Sequence, residues 1–497
     1  MDQAYAYSPE LSLLDYKLLE GEHVLYVENH KLRTFRHPRP SSLKQMLRLT
    51  QVASADKIGR AGPALAALSF EDAEDQDHAP GHLKLYETVF GRDSLRVAID
   101  LISSYPELSR ATILKLASLQ GVEYNTEREE EPGRIVHEVR DAADNEAIRL
   151  TAERGWGWPY YGSVDATPEF IRTLTAYCQR SEESRAFLSE TYVDRRGETQ
   201  TVSHALEMSI EWILRQLSRN AEGLLEFKSV LPRGIENQVW KDSWDAYHHE
   251  DGTIANHDFG IASIEVQVTT YDALIDAAEL LEDILDNSRS AERLRDNAAH
   301  LKDAILDIFW TDDKGGYFVL GTDRNDSGNL RQLKIRTSNM GHVLNSRLLK
   351  DDDPEISRRR TAVIDQLFSD EMLNVSGIRT LASDEIRFRP GAYHNGSVWL
   401  WDTHHIAKGL RRLGYRDKAN DLDQRILNVV NTTNMFPEYV RGDDSDTPNI
   451  NTRTIVLWDD NAQRENKVEQ LPQEVQAWTV AAILATKNRI ARNQNDY

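Results

Sequence analysis

With 497 residues, 40% of them hydrophobic and 28% charged, the chain has apolar material for a sizeable core, either as one large toroid or as two or three domains. A formal charge of −22 repels phosphate backbones and argues against nucleic acid as a partner. The single cysteine, Cys178, excludes an internal disulfide, and no run of apolar residues is long enough for a membrane span; with no secretory pattern in Met1–Tyr16, the expectation is a cytoplasmic protein.

The stretch His23–Arg39 mixes β-branched and aromatic residues with polar ones and predicts one or two short strands, within an N-terminal appendage over residues 1–40. Residues 41–497 read as one helical domain, interrupted at Glu71–Gly81 by an acidic, turn-rich loop. Apolar residues recur every three or four positions over Leu95–Ile102, Ala111–Leu119, Phe170–Tyr177, Leu206–Leu217, Val266–Leu281, Ala291–Ile308, Ile406–Leu413 and Val480–Ile490. The class is therefore mainly α. Asp351–Glu355 resembles a diphosphate-binding acidic run, but Pro354 and the arginines that follow read as a helix start.

Six times a polar and aromatic cluster precedes or opens an apolar helix. The clusters are Gly91–Ser94, Gly162–Pro168, Ile264–Gln267, Arg336–Gly341, His394–Asp402 and Glu474–Trp478, with further amphipathic helices between them. Six inner helices alternating with six outer ones make an (α/α)6 barrel. Such a ring gathers the free N–H groups of its inner helices on one face. The clusters would then surround one cavity.

Sugar rings have apolar C–H faces rimmed by hydroxyls, so their sites need aromatic platforms beside amides, carboxylates, Arg and His. Three stretches combine these: Trp156–Tyr161 ahead of Asp165, Trp240 and Trp244 around Asp242, and Tyr393, Trp399 and Trp401 around His394 and Asn395. Glycosidic cleavage by two carboxyls needs a proton donor, kept protonated by apolar walls, and an ionised partner that activates water. Asp242, flanked by tryptophans, suits the desolvated acid; Glu438, in Phe436–Gly442, suits the wetter base. Asp245, Asp165 and Glu265 compete with them on residue type alone.

In chain order, the segments FGRDSL (90–95), EPGRIVHE (131–138), YYGSVDATP (160–168), NQVWKDSWDA (237–246), IASIEVQ (261–267), TSNMGH (337–342), SGIRTL (376–381), YHNGSVW (393–399), Pro437–Glu438 and QAW (476–478) resemble the amylo-α-1,6-glucosidase-type glycogen-debranching family. That family is related to glucoamylase-like and trehalase-like (α/α)6 enzymes. The resemblance spans roughly residues 85–485. It implies an inverting glycosidase acting on an α-linked sugar, with Asp242 as general acid and Glu438 as general base. It also implies that Arg92, Asp93, Tyr161, Asp165, Trp240, Glu265, Gln267, His394, Asn395, Trp399 and Gln476 line the sugar pocket. An inverting pair is expected about 6.5–9.5 Å apart, leaving room for a water. Residues 441–471 exceed the family's usual link between base and last helix, which suggests a lid or a homo-oligomer contact and favours a small glucoside over a polymer.

No cofactor is expected. The paired-histidine and paired-cysteine spacings of a metal site are missing, and His248–His249 are adjacent rather than on one helical face. The rival readings are a sugar epimerase or isomerase using His248, His249, His394, His404 and His405, and an inactive sugar-binding protein.

Overall fold

A helix buried on every side and a helix buried on one stripe have different sequences, and the chain alternates the two. In the computed structural model, Ile264–Asp283 is buried along nearly its whole circumference, including the polar Glu265, Gln267, Thr270 and Asp272. Its neighbour Ser288–Ile308 buries Ala291, Leu294, Ala298, Leu301 and Ile305, spaced three or four apart, and leaves its charged residues outward. Each of those leucines and isoleucines contributes about 1.5–3 kcal/mol when fully buried. The same contrast separates Leu400–Arg412, buried from Leu400 to Ala407, from Arg416–Thr433, which buries Ala419, Leu422, Asp423, Ile426 and Val429. Ile264–Asp283 packs on Ser288–Ile308, and Leu400–Arg412 on Arg416–Thr433.

The structure describes residues 89–140, 142, 145–351, 353–433, 435–450, 455–459, 464–468, 472 and 476–495, with two short strands near the N-terminus. The chain is mainly α with few short strands, consistent with an (α/α)6 barrel. All six clusters fall at helix starts: Gly91–Leu101, Ala166–Cys178, Ile264–Asp283, the single turn Asn339–His342, Leu400–Arg412 and Ala477–Asn495. Asp353 caps Pro354–Leu367 by accepting from Glu355 N at 2.9 Å and Ile356 N at 3.2 Å, so the acidic run is a helix start. No helix among the described residues is long and apolar enough to cross a membrane.

Two compact units emerge. One comprises residues 1–162, 173–209 and 473–497; the other comprises 163–172 and 210–472. In the first, the C-terminal helix Ala477–Asn495 packs on Gly91–Leu101, and Asn488 Nδ2 donates to Ser104 Oγ at 2.8 Å. The strands Tyr26–Glu28 and Lys31–Arg33 pair antiparallel, within the stretch where one or two were expected. The Glu71–Gly81 loop and the appendage boundary at residue 40 lie outside the described residues. In the second unit a three-stranded antiparallel sheet joins Ala262–Ser263, Gly321–Arg324 and Leu330–Leu333. Within 441–471, Ile455–Asp459 and Arg464–Val468 form an antiparallel hairpin; much of the rest of that segment lies outside the described residues.

Candidate functional site

Between Val202–Leu217 and Ile264–Asp283 the chain makes a long helix-free excursion that carries Asp242. Loops of this length are held only if their backbone groups find partners, and here they do. Gln267 clamps Leu225, accepting from its N–H and donating to its carbonyl, both at 2.9 Å, and also donates to Ser263 O. Phe227 and Ile261 exchange backbone hydrogen bonds. Asp323, fully buried in the sheet, accepts from Asn256 N and Arg331 and meets His249 Nε2 at 3.1 Å. Asn237 Nδ2 donates to Ser243 O at 2.6 Å, one residue beyond Asp242.

The loop places Asp242 Oδ1 4.0 Å from His394 Nδ1, with Ser243 Oγ 2.7 Å from the same nitrogen. Asn395 Nδ2 donates to Asp245 O at 3.0 Å. Next along the chain from His394, Tyr393 donates its hydroxyl to Glu438 Oε1. The two carboxylates, distant in sequence, thus meet the adjacent side chains of one dipeptide. Rings order this region: Trp399 stacks on His394 on one side and Tyr439 on the other, at 5.3 and 5.5 Å between centroids, while Tyr393 meets all three edge-on. Trp399 Nε1 donates to Tyr393 O at 2.9 Å, fixing the tyrosine's backbone.

Glu438 is held by backbone pairing. Val440 and Val398 exchange hydrogen bonds of 2.9 and 2.8 Å, which lays the 436–442 segment beside the strand leading into Leu400–Arg412. Only glycine fits where this segment turns: a Cβ on Gly442 would lie 1.8 Å from Gly396 O. Gly442→Ala should therefore destabilise the fold by about 1–3 kcal/mol or more. An unchanged urea midpoint would show that the two loops are not in such close contact.

Burial does not follow the expected order. The Asp242 side chain is 35% exposed, whereas Glu438 is 5% exposed. The reason is where Trp240 goes. It turns inward, stacked on His342 and met edge-on by His394, Trp399 and Trp401, rather than covering its neighbour. Burial pushes the nearby Asp245 carboxyl upward in pKa, opposed by Arg387 and Asn395.

Lys241 is fully buried behind the loop, its Nζ donating to Thr380 O at 2.5 Å and lying 5.2 Å from the Trp240 ring centroid. Burial lowers its pKa to about 7, against the opposing pull of Asp402 and Glu265. Between that value and the ordinary lysine range the unfolded chain holds a proton that the folded chain has released, so this group's contribution to stability rises with pH. Lys241→Met should accordingly gain melting temperature relative to wild type more at pH 6 than at pH 9; a pH-independent difference would contradict the shift.

The other anticipated pocket residues divide between the units. In the second unit, Asp165 accepts from Ser163 Oγ at 2.6 Å, and Glu265 accepts from Ser263 and from Tyr247 Oη. Gln267 has its amide engaged by backbone, as described above. In the first unit, Arg92 and Asp93 open Gly91–Leu101 and are buried. Tyr161 donates its hydroxyl to Leu119 O at 2.7 Å and accepts from Arg195, and Gln476 accepts from Trp478 N at the start of the last helix. Trp156 stacks face to face on Tyr160 at 4.1 Å, so part of that aromatic cluster packs on itself. Of the five histidines weighed for proton transfer, His394 is the one beside the carboxylates. His248 is lowered by burial to about 4 with Nδ1 2.9 Å from His249 O, His249 joins Asp323, and His405 lies against Asn345.

Tyr393, Ser243, Lys241 and Tyr439 were not among the residues assigned by sequence. Tyr393 could have been added from its place beside His394 in the aromatic cluster; the others are visible only once the loops are brought together.

Residues 166–458 match the family model described as the mannosylglycerate hydrolase MGH1-like glycoside hydrolase domain. No curated protein matches the chain significantly. The matched stretch holds Asp242, Glu438, His394 and the rings that order them, and on that match the chain belongs to the MGH1-like glycoside hydrolase family.

Proposed function

We propose that the protein is an inverting glycosidase that cleaves the α-glucosidic bond of a small glucoside or oligosaccharide, with Asp242 as general acid and Glu438 as general base. The observation that carries this reading is the meeting of both carboxylates at Tyr393–His394. A hydroxyl that donates to a carboxylate favours its ionised form, which supports Glu438 as the base despite its burial. Asp242, partly open, can reach a leaving-group oxygen, and a bound aglycone would supply the desolvation that Trp240 does not. In the first step Asp242 gives its proton to the glycosidic oxygen while Glu438 takes one from the attacking water.

The debranching-type motifs support an α-glucosidic linkage. The family description carries the name of a mannosylglycerate hydrolase, whose substrate is by that name a small glycoside; this supports a small substrate over a polymer. Glucose or mannose release from a panel of small α-glycosides tests the reading, with Asp242→Asn as control. Release that persists unchanged in the control would refute it. Tyr393→Phe should lower kcat by about 10-fold or more, the worth of one hydrogen bond to a charged group, with the melting temperature nearly unchanged. An unaltered kcat would remove Tyr393 from the account.

A further inference from the structure

Lys241 and Asp242 are neighbours in an irregular segment, yet one is 1% exposed and the other's side chain is 35% exposed. They point to different environments. A fully buried ammonium is costly, and a methionine would fill such a slot without that cost. What the Lys241 amine makes there is a hydrogen bond to Thr380 O at 2.5 Å, which it can donate whether or not it carries the extra proton.

Thr380 belongs to the frame that carries the other carboxylate. Its N–H and hydroxyl both donate to Ser397 O, at 2.8 and 2.9 Å, and its hydroxyl oxygen accepts from Gly396 N at 3.0 Å. Ser397 is followed by Val398, which pairs with Val440, two residues beyond Glu438. A continuous path therefore runs from Asp242 through Lys241, Thr380 and Ser397 to Glu438. Asn395 and His394 tie the same loop to the same frame from the other side, through Asp245 and Ser243.

We infer that Lys241 is a positioning residue: by fastening the acid-bearing loop to the Thr380 carbonyl, it sets where Asp242 stands relative to Glu438. The inference rests on reading Asp242 as the general acid. Lys241 touches neither substrate nor the transferred proton in this scheme and acts through the backbone of its neighbour. Misplacement by an ångström costs about 10²-fold in rate.

The test exploits leaving groups. Fluoride departs without a proton, whereas an alkoxide needs one. The α-fluorides and the methyl α-glycosides of glucose and of mannose are to be compared with wild type, Asp242→Asn and Lys241→Met. Asp242→Asn should lose about 10²–10⁴-fold on the methyl glycoside and far less on the fluoride. Lys241→Met should lose about 10–100-fold in kcat on the methyl glycoside, with little change on the fluoride or in KM. Lys241→Gln, which keeps a donor in the slot, should recover much of that loss, and it carries the same comparison if the methionine variant fails to fold. Equal losses on both leaving groups, or no loss on either, would overturn the role of Lys241 provided Asp242→Asn discriminates between them. An Asp242→Asn variant that does not discriminate would instead sink the acid assignment itself. Inertness of wild type towards all four compounds would remove both.

Discussion

Asp242→Asn is expected to lower kcat on an O-linked α-glycoside by about 10²–10⁴-fold, the range over which a positioned general acid acts. Asparagine keeps the shape of aspartate but has no proton to give. Asp242 is partly exposed, with its Oδ1 4.0 Å from His394 Nδ1, and asparagine preserves its shape, so thermal stability should move far less than the rate. The pH–rate profile carries a second signature. A bell whose alkaline limb reports the acid losing its proton should keep its acidic limb and lose the alkaline one in the variant. Steady-state kinetics over pH 4–9 would check both. A variant that retained the rate and the alkaline limb would show that another group protonates the leaving oxygen.

Glu438→Gln should produce a loss of similar size, about 10²–10⁴-fold, by a different route. Glutamine accepts the Tyr393 hydroxyl as glutamate does, so the ring column of His394, Trp399 and Tyr439 should stay in place. What disappears is the anion that takes a proton from water. A nucleophile that needs no deprotonation, such as azide, should restore part of the rate and yield a β-glycosyl azide. Azide added to Asp242→Asn should give no such recovery on an O-linked glycoside. If azide failed to rescue Glu438→Gln on a substrate that wild type cleaves, the assignment of Glu438 as base would be in serious difficulty.

The helical class was legible because inner and outer helices differ in periodicity: the near-total burial of Ile264–Asp283 and the single stripe of Ser288–Ile308 are both written in residue spacing. The clusters at helix starts were legible for the same reason, since each interrupts an apolar repeat. The local environment of the carboxylates was not. Flanking tryptophans suggested a desolvated Asp242, but in an irregular loop the neighbour in sequence need not be the neighbour in space, and Trp240 packs instead on His342, Trp399 and Trp401. Gln267 and Tyr161 illustrate a related ambiguity. Amides and phenols serve sugars and backbones equally well, and here Gln267 binds Leu225 and Ser263 while Tyr161 binds Leu119. Lys241 was passed over because its importance lies in the carbonyl of Thr380, far along the chain.

A water-activating anion on one side of the sugar and a proton donor on the other dictate the stereochemistry of the product. Proton NMR of the hexose anomeric signal, recorded within the first minutes after enzyme meets an α-glycoside, reads that outcome before mutarotation blurs it. The β-anomer should appear first, with α growing only later. Initial release of the α-anomer would mean that a covalent intermediate had formed, and the two carboxylates would need other roles.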